Sequence, residues 1–100
     1  MIPEMLEKHQ SQIIEVCRKY RVRELSLFGS VARGDYRDQS DVDFLVEFEP
    51  DAEIGLIAFS KLQRELADIV GRPVDLVSKQ GLKPVIRQTV LAEAELLYAA

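Results

Sequence analysis

A Gly-Ser pair and two closely spaced aspartates are the residues of this chain best suited to chemistry. Gly29 and Ser30 follow the apolar run 25–28, which predicts a short strand that ends in a sharp turn. Such a turn presents backbone N–H groups and a hydroxyl, the donors that bind phosphate. Asp41 and Asp43 lie two residues apart where the next apolar run begins, so a strand would place both carboxylates on one face. Adjacent carboxylates repel each other unless a cation lies between them, and their hard oxygens suit Mg²⁺.

The spacing of these residues resembles that of the minimal nucleotidyltransferase family of the DNA polymerase β-like superfamily. The family signature is Gly-Ser, ten residues and then Asp-x-Asp, and residues 31–40 supply the ten here. The family also has a third carboxylate on a later strand. Asp75, an acid inside the otherwise apolar run 73–77, is the candidate for it. The resemblance extends to the order of elements along nearly the whole chain.

The resemblance implies nucleotidyl transfer with two Mg²⁺ ions, about 3.5–4 Å apart in enzymes that use this chemistry. Asp41 and Asp43 would hold both ions, and Asp75 would complete the inner one. Asp75 would also accept the proton of the attacking hydroxyl, as the carboxylate nearest the nucleophile in the family's arrangement. All three aspartates are therefore predicted to be both catalytic and metal-binding.

ATP is the implied substrate, and Gly29, Ser30 and Arg33 are its predicted binding residues. Gly29 and Ser30 would hold the triphosphate through backbone N–H groups and a hydroxyl. For Arg33 two roles stay open, because it can neutralise phosphate charge or pair with Asp35 or Asp38.

Stand-alone members of this family in bacteria are typically antitoxins encoded beside a HEPN-type ribonuclease toxin. The resemblance therefore implies a toxin partner and transfer of AMP from ATP to a tyrosine of that toxin. Two alternatives stay open: a non-catalytic antitoxin that neutralises by docking, and a small-molecule nucleotidyltransferase that acts as a dimer. Three convergent acids favour catalysis, since a docking module has no need for them.

Length and composition predict a single nucleotidyltransferase domain over residues 1–100. The chain has 100 residues, of which 47% are hydrophobic, enough for one compact core but not for a second lobe. Its net charge of −4, with acids and bases mixed along the chain, predicts no surface for direct DNA or RNA binding. The charged start and the lack of a long apolar stretch predict no signal segment and no membrane span, so we expect a cytoplasmic protein.

Hydrophobic spacing predicts an α/β fold in the order α-β-α-β-α-β-α, with a small mixed sheet flanked by helices. Helices are predicted over residues 3–20, 30–34 (with Ser30 as N-cap), 54–70 and 83–93, and strands over 25–28, 42–48 and 74–77. The tail 95–98 fits a helical extension or an extended segment. Antiparallel pairing of the first two strands brings the Gly-Ser turn to the aspartate pair, and a parallel crossover brings Asp75 alongside.

Other conspicuous residues receive structural interpretations. His9 is predicted to be a partly covered packing residue and Cys17 a small core residue. Leu56 and Ile57 fall outside the apolar face of the long helix. With Ile54 they form part of a partner surface, or they fold into the core.

Overall fold

The computed structural model describes residues 2–100 as a four-stranded mixed sheet with helices on both faces. The helices and strands in chain order are α1 (Glu4–Glu7), α2 (Gln10–Lys19), β1 (Val22–Phe28), α3 (Gly29–Arg33), β2 (Val42–Phe48), α4 (Leu56–Val70), β3 (Val74–Ser78), α5 (Pro84–Glu93) and β4 (Glu95–Ala99), with a short 3₁₀ turn at Lys79–Gly81. The strand order is β3-β2-β1-β4. Strand β2 pairs antiparallel with β1 and parallel with β3, which confirms the predicted fold class and both predicted pairings.

The alternation of side chains along β2 places core residues on one face of the sheet and Asp43 on the other. Val42, Phe44 and Val46 are fully buried in the main core, which lies between the sheet and helices α2 and α4. Asp43 and Leu45 point to the opposite face, since successive strand residues alternate. There Leu45 packs with Leu82 and with Val90 of α5 in a smaller cluster, whose residues are Leu45, Leu82 and Val90 with Phe28 and Val77 beside them.

The single long helix predicted over residues 3–20 is wrong. The chain forms two helices, α1 and α2, that are separated at Lys8 and His9. Leu6 in the short first helix is 1% exposed and belongs to the same core cluster as Ile13. Other predicted boundaries differ by one to three residues: β1 begins at Val22, α3 spans Gly29–Arg33, α4 begins at Leu56, β3 continues to Ser78 and α5 begins at Pro84.

The tail left open by the sequence forms a fourth strand. Helix α5 ends at Glu93, and Ala94 adopts an extended conformation with φ −65° and ψ 135°. Strand β4 then pairs antiparallel with β1, and Leu27 lies opposite Glu95. The strand covers the free edge of β1 and anchors the end of α5 beside the turn that follows β1.

Two large apolar side chains at the start of α4 face solvent. Leu56 is 82% exposed and Ile57 is 75% exposed, whereas Ile54 is half-buried. The alternative that Leu56 and Ile57 fold into the core is therefore wrong. No helix within residues 2–100 is long and apolar enough to span a membrane.

Candidate active site

The three aspartates predicted to act together lie at neighbouring positions of the sheet. Asp43 is the second residue of β2, and its register partners are Phe28 at the end of β1 and Asp75 in β3. Asp41 precedes β2 by one residue, two positions before Asp43. Asp41 and Asp75 are exposed, whereas Asp43 is half-buried. The structure therefore brings the three residues to one end of the sheet, beside the Gly-Ser turn.

Gly29 forms the turn between β1 and α3 directly against Asp43. Its φ is +77°, in the left-handed region that favours glycine. A Cβ at this position would lie 3.0 Å from Asp43 Cγ and closer still to Oδ2. Both the backbone conformation and the lack of space exclude a side chain at position 29. The sharp turn predicted at Gly29 is therefore present.

The prediction that Ser30 is the N-cap of the short helix is wrong. Helix α3 begins at Gly29, and Phe28 is its N-cap residue. The left-handed Gly29 reverses the chain at once, so the helix starts two residues earlier than a serine cap requires. Ser30 instead lies in the first turn of the helix, half-buried and next to the residue that contacts Asp43.

The electrostatic environment of Asp43 favours its protonated form. Partial burial and the nearby charges of Asp75 and Asp41 raise the pKa of Asp43 from 3.8 to about 6, while Arg33 opposes the shift and Glu93 adds to it. At neutral pH the ionised carboxylate is thus held in an unfavourable position. A cation beside it would remove the repulsion.

The donors at the site fit Mg²⁺ that arrives with a substrate. Within residues 2–100 no three His, Cys, Asp or Glu side chains form a preassembled metal centre. Asp43 and Asp75 are nonetheless register partners that both offer hard oxygen ligands. Burial and the like charge of Asp75 disfavour the ionised form of Asp43. Because Mg²⁺ is usually held by one or two carboxylates together with water and substrate phosphates, this partial set of ligands is the kind it uses.

Arg33 reaches the site from the end of α3. Its Nε donates to Asp35 Oδ2 at 3.3 Å, and its Nη1 lies 3.4 Å from both carboxylate oxygens of Glu93. These contacts raise the pKa of the Arg33 guanidinium, first through Asp35 and then through Glu93. Of the partners considered from the sequence, Asp35 is the one that pairs. The guanidinium stays on the side of the site where Gly29 lies.

Glu93 is a site residue that the sequence reasoning missed. Its Oε1 accepts a hydrogen bond from the Gly29 backbone N–H at 3.1 Å, and its side chain is only 25% exposed. One feature of the sequence could have indicated a special role for Glu93. It is the last residue of α5, where an acidic side chain interacts unfavourably with the helix dipole. Its proximity to Gly29, 64 residues earlier in the chain, depends on α5 crossing the sheet.

Arg72 holds the loop that delivers Asp41. Its Nη1 donates to the carbonyl of Arg37 at 2.8 Å and approaches the carbonyl of Ser40 at 3.4 Å, and its guanidinium lies 5.5 Å from the centre of the Tyr36 ring. The Ser40 hydroxyl accepts from the Arg37 N–H at 2.8 Å, so Ser40 stabilises the loop itself. Together these contacts fix the chain immediately before Asp41.

His9 and Cys17 lie outside the site. His9 is half-buried, and its Nδ1 lies 3.0 Å from Gln12 Oε1. Cys17 is completely buried, and burial raises the pKa of its thiol to about 12. Cys17 is the core residue that was predicted, and His9 is partly covered as expected.

A mixed sheet that sets a Gly-Ser turn against an Asp-x-Asp strand, with a third aspartate on the parallel neighbour, defines the minimal nucleotidyltransferase class. The Nucleotidyltransferase domain family matches residues 10–97 of this chain. The chain therefore belongs to that family, and it is a nucleotidyltransferase.

Individual relatives agree with this assignment. Protein adenylyltransferase MntA of Thermococcus cleftensis is 42% identical over 93 residues, which cover 92% of this chain and 88% of that protein. A solved structure assigned as a minimal nucleotidyltransferase is 37% identical, with a TM-score of 0.79 and 95% of each chain covered. A crystal structure of a toxin-antitoxin with AMP-PNP is 27% identical, with a TM-score of 0.75 over 91% of this chain and 73% of that one.

Proposed function

We propose that this protein is a Mg²⁺-dependent protein adenylyltransferase that acts as the antitoxin of a HEPN-type toxin. In this proposal it transfers AMP from ATP to a tyrosine hydroxyl of the toxin. The observation that carries the proposal is the position of Asp43, held between the Gly29 turn and its register partner Asp75. The similarity to an adenylyltransferase and to a toxin-antitoxin with AMP-PNP supports the choice of nucleotide and partner.

In the proposed reaction the tyrosine oxygen attacks the α-phosphorus of ATP. The bond from that phosphorus to the bridging oxygen breaks, and pyrophosphate leaves. Gly29 and Ser30 bind the triphosphate, while Arg33 neutralises charge on its oxygens. Asp75 is the exposed member of the carboxylate pair, so it is open to an incoming hydroxyl and accepts its proton.

Asp41, Asp43 and Asp75 are the residues that would hold Mg²⁺, in one or two ions. When bound, the metal supplies positive charge to the attacking and leaving oxygens of the displacement. Asp43 is half-buried and is affected by the charges of both Asp75 and Asp41, so a bound cation would relieve the repulsion there.

Residues 1–100 act as one nucleotidyltransferase domain in the cytoplasm, where ATP is available. The acceptor is a protein and not DNA or RNA, because the chain carries a net charge of −4 and its bases are mixed with acids.

Nucleotide and metal binding can be tested by thermal unfolding with and without ATP and Mg²⁺. At a ligand concentration a hundredfold above its Kd, we expect about 2.7 kcal/mol of stabilisation, a clear rise in Tm. The variant Asp41→Asn/Asp43→Asn should fold and lose this rise, whereas Asp38→Asn, a change in the exposed loop, should keep it. An equal rise in the double variant would exclude these residues as the site.

Catalysis and docking can be separated in cells that express the toxin. We expect the parent chain to restore growth and the Asp41→Asn/Asp43→Asn variant to bind the toxin without restoring it. Replacement of the acceptor tyrosine of the toxin by phenylalanine should also prevent neutralisation. Full neutralisation by the inactive variant would instead make docking the function.

A further inference from the structure

Glu93 occupies the donors that the proposed function assigns to the triphosphate. Its carboxylate accepts the Gly29 N–H at 3.1 Å and lies 3.4 Å from the Arg33 guanidinium through both of its oxygens. Carboxylate and phosphate oxygens accept the same hydrogen bonds from amide and guanidinium groups. One N–H and one guanidinium edge cannot serve both ligands at once.

The position of Glu93 is unfavourable apart from these two contacts. It is an acid at the C-terminal end of α5, where the helix dipole favours cations. It also lies close enough to Asp43 for the two negative charges to interact. The hydrogen bond from Gly29 and the pairing with Arg33 offset both effects, so the carboxylate is held at this place by the anion-binding donors themselves.

We propose that Glu93 is a nucleotide-site residue that competes with the triphosphate for Gly29 and Arg33. Binding of ATP exchanges the Glu93 carboxylate for phosphate oxygens at these donors. After pyrophosphate leaves, Glu93 returns to them and disfavours its rebinding. This inference rests on the proposed function, because it assumes that the triphosphate binds at Gly29 and Arg33.

Calorimetric binding of ATP with Mg²⁺ tests the competition. Glu93→Gln keeps the shape of the side chain and removes its charge, so we expect binding about fivefold to tenfold tighter than that of the parent. Inorganic pyrophosphate with Mg²⁺ should also bind more tightly to Glu93→Gln than to the parent. The control is Glu15→Gln, an exposed glutamate on α2 across the sheet from α5, which should bind like the parent.

The Gly29 amide gives a second measurement that does not depend on activity. In the parent without nucleotide, NMR should find this amide proton protected from solvent exchange by its bond to Glu93. Glu93→Ala should lose the protection, and ATP with Mg²⁺ should restore it. The role of Arg33 is tested by combining Arg33→Gln with Glu93→Gln. The increase in ATP affinity caused by Glu93→Gln should be smaller when Arg33 is already replaced.

The outcomes separate this inference from the function on which it depends. A parent that binds no ATP would overturn both. A parent that binds ATP, with Glu93→Gln binding equally or more weakly, would overturn the competition alone and leave the transferase site intact. If Glu93→Gln fails to fold, an unprotected Gly29 amide in the nucleotide-free parent would overturn the competition by itself.

Discussion

Replacement of Asp43 by asparagine should stabilise the metal-free protein. The ionised Asp43 carboxylate is partly buried and faces Asp75 and Asp41, which is why its pKa rises from 3.8 to about 6. Asparagine has the same shape without the charge, so the variant escapes both desolvation and repulsion. The residue most strongly implicated in function is thus expected to oppose stability when no cation is bound.

The magnitude follows from the shift in pKa. Fully realised, a shift from 3.8 to about 6 corresponds to about 3 kcal/mol of differential interaction. Because Asp43 is only half-buried, water screens part of the repulsion, and we expect about 1–2 kcal/mol at pH 8. For a domain of this size each kcal/mol raises Tm by about 4–8 °C.

The gain should depend on pH in a defined direction. The folded protein keeps the Asp43 proton to a higher pH than the unfolded chain, so between pH 3.8 and about 6 the folded state binds more protons. The stability of the parent therefore falls as pH rises through this window, and the penalty is complete above it. The difference between Asp43→Asn and the parent should be small at pH 4 and largest at pH 8.

The assay is thermal or urea unfolding in EDTA at pH 4, 6 and 8, followed by the same series with ATP and Mg²⁺. With ligand at pH 8 the order should reverse, since only the parent is stabilised. Asp38→Asn, in the exposed loop, should track the parent throughout. An Asp43→Asn variant that is no more stable than the parent at pH 8 in EDTA, or that gains the same stability at pH 4, would contradict an unfavourable charge at Asp43.

Three further predictions concern the turn, the loop and the exposed surface. Gly29→Ala should lower the free energy of unfolding by about 2 kcal/mol or more, because φ at this position is +77° and the alanine Cβ would clash with Asp43. An unchanged urea midpoint would contradict this. Arg72→Ala should speed amide exchange over residues 37–40 and weaken ATP binding, because Arg72 Nη1 contacts the carbonyls of Arg37 and Ser40. Arg72→Lys should restore neither fully, since lysine lacks the planar guanidinium that lies over the Tyr36 ring; a lysine variant with parental exchange would count against it. Leu56→Glu and Ile57→Glu should fold and bind ATP, because these side chains are 82% and 75% exposed. Both variants should retain the toxin less well in co-purification. Toxin retention equal to that of the parent would rule out this surface as part of the interface.

The order of elements was predictable because each has a local signature. The long helix α4 ends at Val70, where Gly71 and Pro73 follow, and β2 has the predicted bounds, ending before Pro50. Strand alternation and antiparallel pairing also predicted that the Gly-Ser turn lies near Asp41 and Asp43, whereas Asp75 was identified through the family resemblance and placed by the crossover rules.

The remaining features depend on contacts distant in sequence. The segment that forms β4 follows α5 directly and fits a helical extension as well as a strand, so pairing with β1 decides between them. No local sequence signal marks the break at Lys8 and His9. Glu93 and Arg72 enter the site only because α5 crosses the sheet and β3 lies beside the loop before Asp41. No pattern within a single element specifies those approaches.

The most direct test of the transferase mechanism is the intact mass of the purified toxin partner after incubation with this protein, ATP and Mg²⁺. We expect the partner to gain the mass of one or more adenylyl groups on tyrosine, with release of an equal amount of pyrophosphate. The Asp41→Asn/Asp43→Asn variant should bind the partner and leave its mass unchanged. A partner whose mass does not change with the parent chain, although it is bound and neutralised, would contradict adenylyl transfer as the function.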